Sequence, residues 1–88
     1  MELKELIQSI RKDIEIIKTF TKKSVFGMNI DYVSFKIRNH YYLVSKSETY
    51  FYVLTEQTED GSKDISRPKL FEEIELKEYI KRLLILEN

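Results

Sequence analysis

Apolar residues along the chain change their spacing twice. Leu3, Leu6, Ile7, Ile10, Ile14 and Ile17 recur at helical intervals, so the pattern predicts a first helix from about Glu2 to Thr19, charged on its other face. Ile16 and Phe20 fall off that stripe, so the helix end either turns a second surface inward, which is the expected reading, or exposes apolar groups. Thr21-Lys22-Lys23-Ser24 then breaks the period, and Gly27 and Asn29 mark a connecting loop. From Tyr32 to Arg38 the period becomes two. Val33, Phe35 and Ile37 form a core face, and Tyr32, Ser34, Lys36 and Arg38 form the opposite one.

Two further strand-like segments follow. Tyr41 to Ser45 reverses at Lys46-Ser47-Glu48, and Tyr50 to Thr55 places Phe51 and Val53 on one face against Tyr50, Tyr52 and Leu54. Asn39-His40 stands where a tight hairpin turn is expected, without the glycine that eases such turns. Residues 56–67 are polar and acidic and contain the turn signal Glu59-Asp60-Gly61-Ser62; they read as an exposed loop, or as a hairpin tip with Lys63 to Ser66 as a fourth edge strand. Leu76, Tyr79, Ile80, Leu83 and Leu86 restore the helical period. Phe71 and Ile74 are out of phase with them, so the second helix is expected to begin near Glu73.

The expected fold is α+β. A three-stranded antiparallel sheet, with a short fourth edge strand as a variant, lies between an N-terminal and a C-terminal helix that cover one face, in the order αβββα. At 88 residues this is one domain with a modest core. Cysteine is absent, which removes disulfides, thiol chemistry and sulfur-ligated zinc. Met1-Glu-Leu-Lys-Glu5 is no signal peptide, and no stretch approaches the ~20 apolar residues of a membrane span, so a cytoplasmic protein is expected.

Fifteen bases balance fifteen acids, but unevenly. Residues 1–55 hold nine Lys/Arg against six acids, and residues 56–75 hold three against seven. The broad basic field of a phosphate-gripping protein is missing, which ranks nucleic acid below protein as a partner. The candidate chemistry is thin. His40 is the only histidine and shows no sequence partner; Glu56, Glu59, Asp60 and Asp64 do not have the spacing of a calcium loop; Gly27 and Gly61 lie in no phosphate-cradling motif. Neither an enzyme nor a bound cofactor or metal is expected.

Binding remains. Tyr32, Lys36, Arg38, Tyr50 and Tyr52 are expected on the uncovered sheet face, where tyrosine offers contact area at small entropic cost. The bland alternative is that these tyrosines only make cross-strand pairs. With Lys22 and Lys23 the same face is the alternative site for single-stranded nucleic acid. A homodimer is a third reading, since Leu83-Leu84-Ile85-Leu86 is more apolar than one core face requires.

The element order is also that of the double-stranded RNA-binding domain, but Phe71-Glu72-Glu73-Ile74-Glu75 is acidic where that family places phosphate-binding bases. Leu6-Ile7 and Ile10, Ile37-Arg38-Asn39, and Tyr42-Leu43-Val44-Ser45-Lys46-Ser47-Glu48 resemble the small phage-encoded anti-CRISPR proteins that inhibit the type II nuclease, over about half the chain. That resemblance implies a phage or mobile-element inhibitor that occludes a larger host protein without turnover. Members of that family bind partly through acids near the first hairpin turn. Here that turn holds Asn39-His40, and Glu56, Glu59, Asp60 and Asp64 are the acids that would take their place.

Overall fold

The computed structural model describes residues 2–57 and 69–85. Helix α1 (Leu3–Ile10) is followed by strands β1 (Ile14–Lys23), β2 (Asn29–Ile37), β3 (His40–Lys46), β4 (Tyr52–Gln57) and β5 (Lys69–Phe71), and by helix α2 (Glu73–Arg82). The strands form one antiparallel sheet in sequence order, β1-β2-β3-β4-β5. The α+β class and the two terminal helices are as expected. The sheet has five strands, where three or four were expected. Lys63 to Ser66, the expected fourth strand, lies outside the described residues.

The first correction is at the N-terminus, where the helix stops at Ile10 and residues 14–23 pair with β2 along almost their whole length. Both periods are present in this segment. Ile14 and Ile17 continue the helical stripe, but Ile14-Glu15-Ile16-Ile17 and Thr19-Phe20-Thr21 are rich in β-branched and aromatic residues, which fit a pleated surface. A bulge between Ile16 and Lys18 takes up Ile17, leaving it half exposed.

The second correction concerns the phase of β4. Val44 pairs with Leu54, so Leu54 and Tyr52 face the helices, Val53 faces away, and Phe51 precedes the strand and is 45% exposed. Tyr50 to Leu54 is apolar or aromatic at every position, so no alternation selects a face, and the partner strand does so instead.

The helices and sheet enclose Leu3, Leu6, Ile7 and Ile10 of α1, Val33, Phe35 and Ile37 of β2, Tyr42 and Val44 of β3, Leu54, and Leu76, Ile80 and Leu84 from the α2 end. Phe35 stacks on Tyr42 with ring centroids 5.5 Å apart. Leu84 is buried and Leu83 half-buried, so the core absorbs much of the apolar C-terminal run. The β2–β3 hairpin turns on Arg38-Asn39, one residue earlier than expected. His40 already belongs to β3, and Arg38 supplies the positive φ (57°) in place of a glycine.

The α1–β1 junction is held by Arg11. Its Nη1 donates to the carbonyls of Ile80 (2.9 Å) and Leu83 (2.7 Å), at the end of α2, while Nε and Nη2 form a bidentate pair with Asp13, both at 2.6 Å. A cation thus meets the last carbonyls of the helix, of which Ile80 also accepts from the Leu83 amide at 3.2 Å, where the macrodipole favours positive charge. The Arg11 guanidinium holds the Asp13 carboxyl below its ordinary range. A lowered acid pKa stabilises the fold above the unfolded value, near pH 4, and the contribution disappears as pH falls through the folded value. Equilibrium unfolding between pH 6 and pH 3 is expected to show a steeper loss of stability for the parent chain than for Asp13→Asn. Parallel pH profiles would contradict this.

Candidate binding surface

Strand alternation divides the sheet into two faces. The register places Glu15, Lys18, Phe20, Lys22, Ile30, Tyr32, Ser34, Lys36, Tyr41, Leu43 and Ser45 on the face opposite the helices. Its centre is the directly paired Phe20 and Tyr32, whose rings stack 4.8 Å apart at 11°. Lys18 and Lys22 lie over the Phe20 ring, 5.1 and 5.5 Å from its centroid. Lys36 reaches both the Tyr41 ring at 6.0 Å and Glu15 at 3.7 Å. Three ammonium groups against one carboxylate make this strip of the sheet basic, despite the neutral chain.

Of the residues expected on this face, Tyr32 and Lys36 are there. Arg38 is not: it occupies the hairpin turn, and its Nη1 donates to the Leu84 carbonyl at 3.4 Å. Tyr50 lies in the β3–β4 connection, 68% exposed and edge-on to Phe51 at 5.5 Å. Tyr52 is on the helix face, where its hydroxyl donates to Glu73 at 3.0 Å. Burial, and then the Glu73 carboxylate, push its phenol above the ordinary value. Glu56 shares the helix face, 3.9 Å from Nδ1 of His40, so the histidine without a sequence partner has an acidic one across the strands. Glu59, Asp60 and Asp64 lie outside the described residues, so the acidic patch is described only at Glu56.

Sequence reasoning favoured burial for Phe20, did not single out Tyr41, and left Lys18 on the charged face of the first helix. A signal for the first was present: Lys18-Thr19-Phe20-Thr21-Lys22 alternates with period two, but the longer helical stripe outweighed it.

On the helix side, an open cleft of about 850 Å³ lies between the start of α1 and the ends of β1 to β4, lined by Lys4, Thr21, Asp31, Lys46, Ser47 and Tyr52 among others. Several of its polar groups bond to one another or to nearby backbone. Thr21 donates to Asp31 at 2.8 Å, and Lys46 donates to the carbonyls of Ser47 and Thr49. Among the described residues, no three of His, Asp and Glu converge as metal ligands. No helix among them is long and apolar enough to cross a membrane.

Strand β1 is an exposed sheet edge of ten residues. The bulge at Ile17 and the lysines at 18, 22 and 23 are features of the kind that discourage edge-to-edge pairing. No protein-family model matches the chain, and neither a curated protein nor a solved structure does.

Proposed function

We propose that this chain is a non-catalytic protein-binding module that recognises a larger protein through the uncovered face of β1, β2 and β3. In its most specific form, which the resemblance to anti-CRISPR inhibitors supplies, the partner is a host defence nuclease that is occluded. One observation carries the binding surface: the Phe20–Tyr32 stack, with Lys18 and Lys22 over the Phe20 ring and Lys36 beside Tyr41, stands on a sheet face that neither described helix covers. Aromatic rings with cationic neighbours suit an acid-rimmed protein surface, because the rings supply buried area and the lysines supply orientation and encounter rate.

Single-stranded nucleic acid is the second reading, favoured by the three lysines on one strip. The ring geometry supports it less. Stacking a base needs an open ring face, and Phe20 has Tyr32 on one side and lysines on the other. The far side of Tyr32 and the Tyr41 ring beside Lys36 are left to offer.

The test is capture from a host lysate with tagged protein, with and without nuclease, using the parent chain and Lys18→Glu/Lys36→Glu. The expected result is one dominant protein that survives nuclease and falls by about tenfold or more with the charge-reversed variant. Capture that vanishes with nuclease, together with a salt-sensitive affinity for a single-stranded oligonucleotide, would replace this reading with the second.

A further inference from the structure

The β1–β2 hairpin carries a feature that the sheet face does not use. Its loop, Ser24 to Met28, presents Val25 and Phe26 at 94% and 86% exposure, the two most exposed large apolar side chains among the described residues. The loop is nonetheless ordered by its own bonds. Ser24 Oγ accepts from the amides of Phe26 and Met28, both at 3.2 Å; Gly27 N–H donates to the Ser24 carbonyl at 3.0 Å, and Ser24 N–H to the Met28 carbonyl at 2.8 Å. Gly27 supplies the left-handed residue (φ 84°) that closes the turn. Four of the loop's five amides are therefore satisfied internally, and the apex can leave water without stranding them.

The charge pattern below the apex is one-signed. Residues 16–30 contain Lys18, Lys22 and Lys23 and no acid. Lys22 and Lys23 are consecutive in a strand, so they project from opposite faces of the ribbon, one on each. Two carboxylates stand at the base of the arm, each held by a hydrogen bond, Asp31 accepting from Thr21 and Glu48 from the Asn29 amide at 3.1 Å.

From this we infer that the arm is a docking device for an anionic lipid surface, with Val25 and Phe26 entering the boundary between headgroups and acyl chains and Lys22 and Lys23 contacting the anionic headgroups. The lysines on both faces favour this occupant over a protein pocket. A pocket reads one side of an arm, whereas a bilayer is alike on every side of an inserted wedge. Two apolar side chains alone would hold weakly, and the basic collar is the second element that surface attachment requires. The attachment is peripheral and reversible; it shares Lys22 with the sheet face, while Lys23, Val25 and Phe26 lie outside that face.

Vesicle sedimentation tests it, using phosphatidylcholine alone and phosphatidylcholine with about one-third phosphatidylserine, at low and physiological salt. The parent chain is expected to sediment with the anionic vesicles only, and Val25→Ser/Phe26→Ser and Lys22→Glu/Lys23→Glu are each expected to lose about tenfold in retention. Val25 and Phe26 are almost fully exposed and belong to no core cluster, so unchanged thermal melting of both variants separates lost docking from lost folding. The chain has no tryptophan, so Phe26→Trp is a single reporter, whose emission should shift to the blue on the anionic vesicles. Equal retention of parent and Val25→Ser/Phe26→Ser, or unshifted emission, overturns the inference. So does a parent chain that ignores vesicles while the serine variant loses the protein captured from lysate, a result that gives the apex to a protein pocket.

Discussion

Phe35→Ala is expected to destabilise the chain by about 3–5 kcal/mol, the usual range for removing a buried aromatic ring. Phe35 is fully buried in the middle of β2, stacked on Tyr42, with strands on both sides and the helices above. The sheet cannot collapse into the void, because β2 is hydrogen-bonded to both neighbours, so the cavity penalty adds to the lost transfer energy. A domain of this length has a total stability of about 5–10 kcal/mol, and the substitution removes a large part of it. Thermal melting followed by circular dichroism should fall by roughly 15 °C or more, or the variant should be unfolded at 25 °C. Ile17→Ala, at the exposed bulge, is the control and should stay within about 0.5 kcal/mol of the parent. Comparable losses from the two substitutions would mean that the core does not sit under β2.

Arg11→Ala carries the second large effect, expected at about 2–3 kcal/mol, the scale of charge-assisted hydrogen bonds together with the groups they leave unpaired. The guanidinium is only 16% exposed and ties three things together: the end of α1, the Asp13 carboxylate and the last carbonyls of α2. Its removal takes a donor from the Leu83 carbonyl and the Asp13 carboxylate, leaves the Ile80 carbonyl with the Leu83 amide at 3.2 Å, and costs α2 a polar link to the α1–β1 junction. Lysine can supply charge but not the planar fork, so Arg11→Lys should recover less than half of the loss. Denaturant titration of the two variants and the parent measures this directly. Full rescue by lysine would reduce the site to a generic helix-end charge.

Much of the framework was legible in the sequence. The faces of β2 follow from Val33, Phe35 and Ile37 alternating with Tyr32, Ser34 and Lys36, and every expected core residue of that strand is buried. Helix α2 begins at Glu73 as its stripe implies, and the Glu72 amide donates to the Glu75 carboxylate at 2.9 Å, one half of a capping box. The candidate surface was legible only in part. Tyr32 and Lys36 alternate cleanly, whereas the partners that make them a site, Phe20 and Lys18, sit in a segment whose pattern fits either a helix or a strand.

What the sequence determined by itself is therefore what one local period can specify: the core stripe of α1, the two faces of β2, the start of α2, and a chain without cysteine or a glycine-rich phosphate loop. Tertiary structure decided the rest. Residues 14–23 became a strand because β2 had an unpaired edge with a matching register, and β4 turned Tyr52 and Leu54 inward because β3 set its phase. The physical reason is the same in both cases. Where a segment is apolar on every side, or satisfies two periods at once, local propensities differ by less than the free energy of strand pairing and burial, and the neighbour chooses the face.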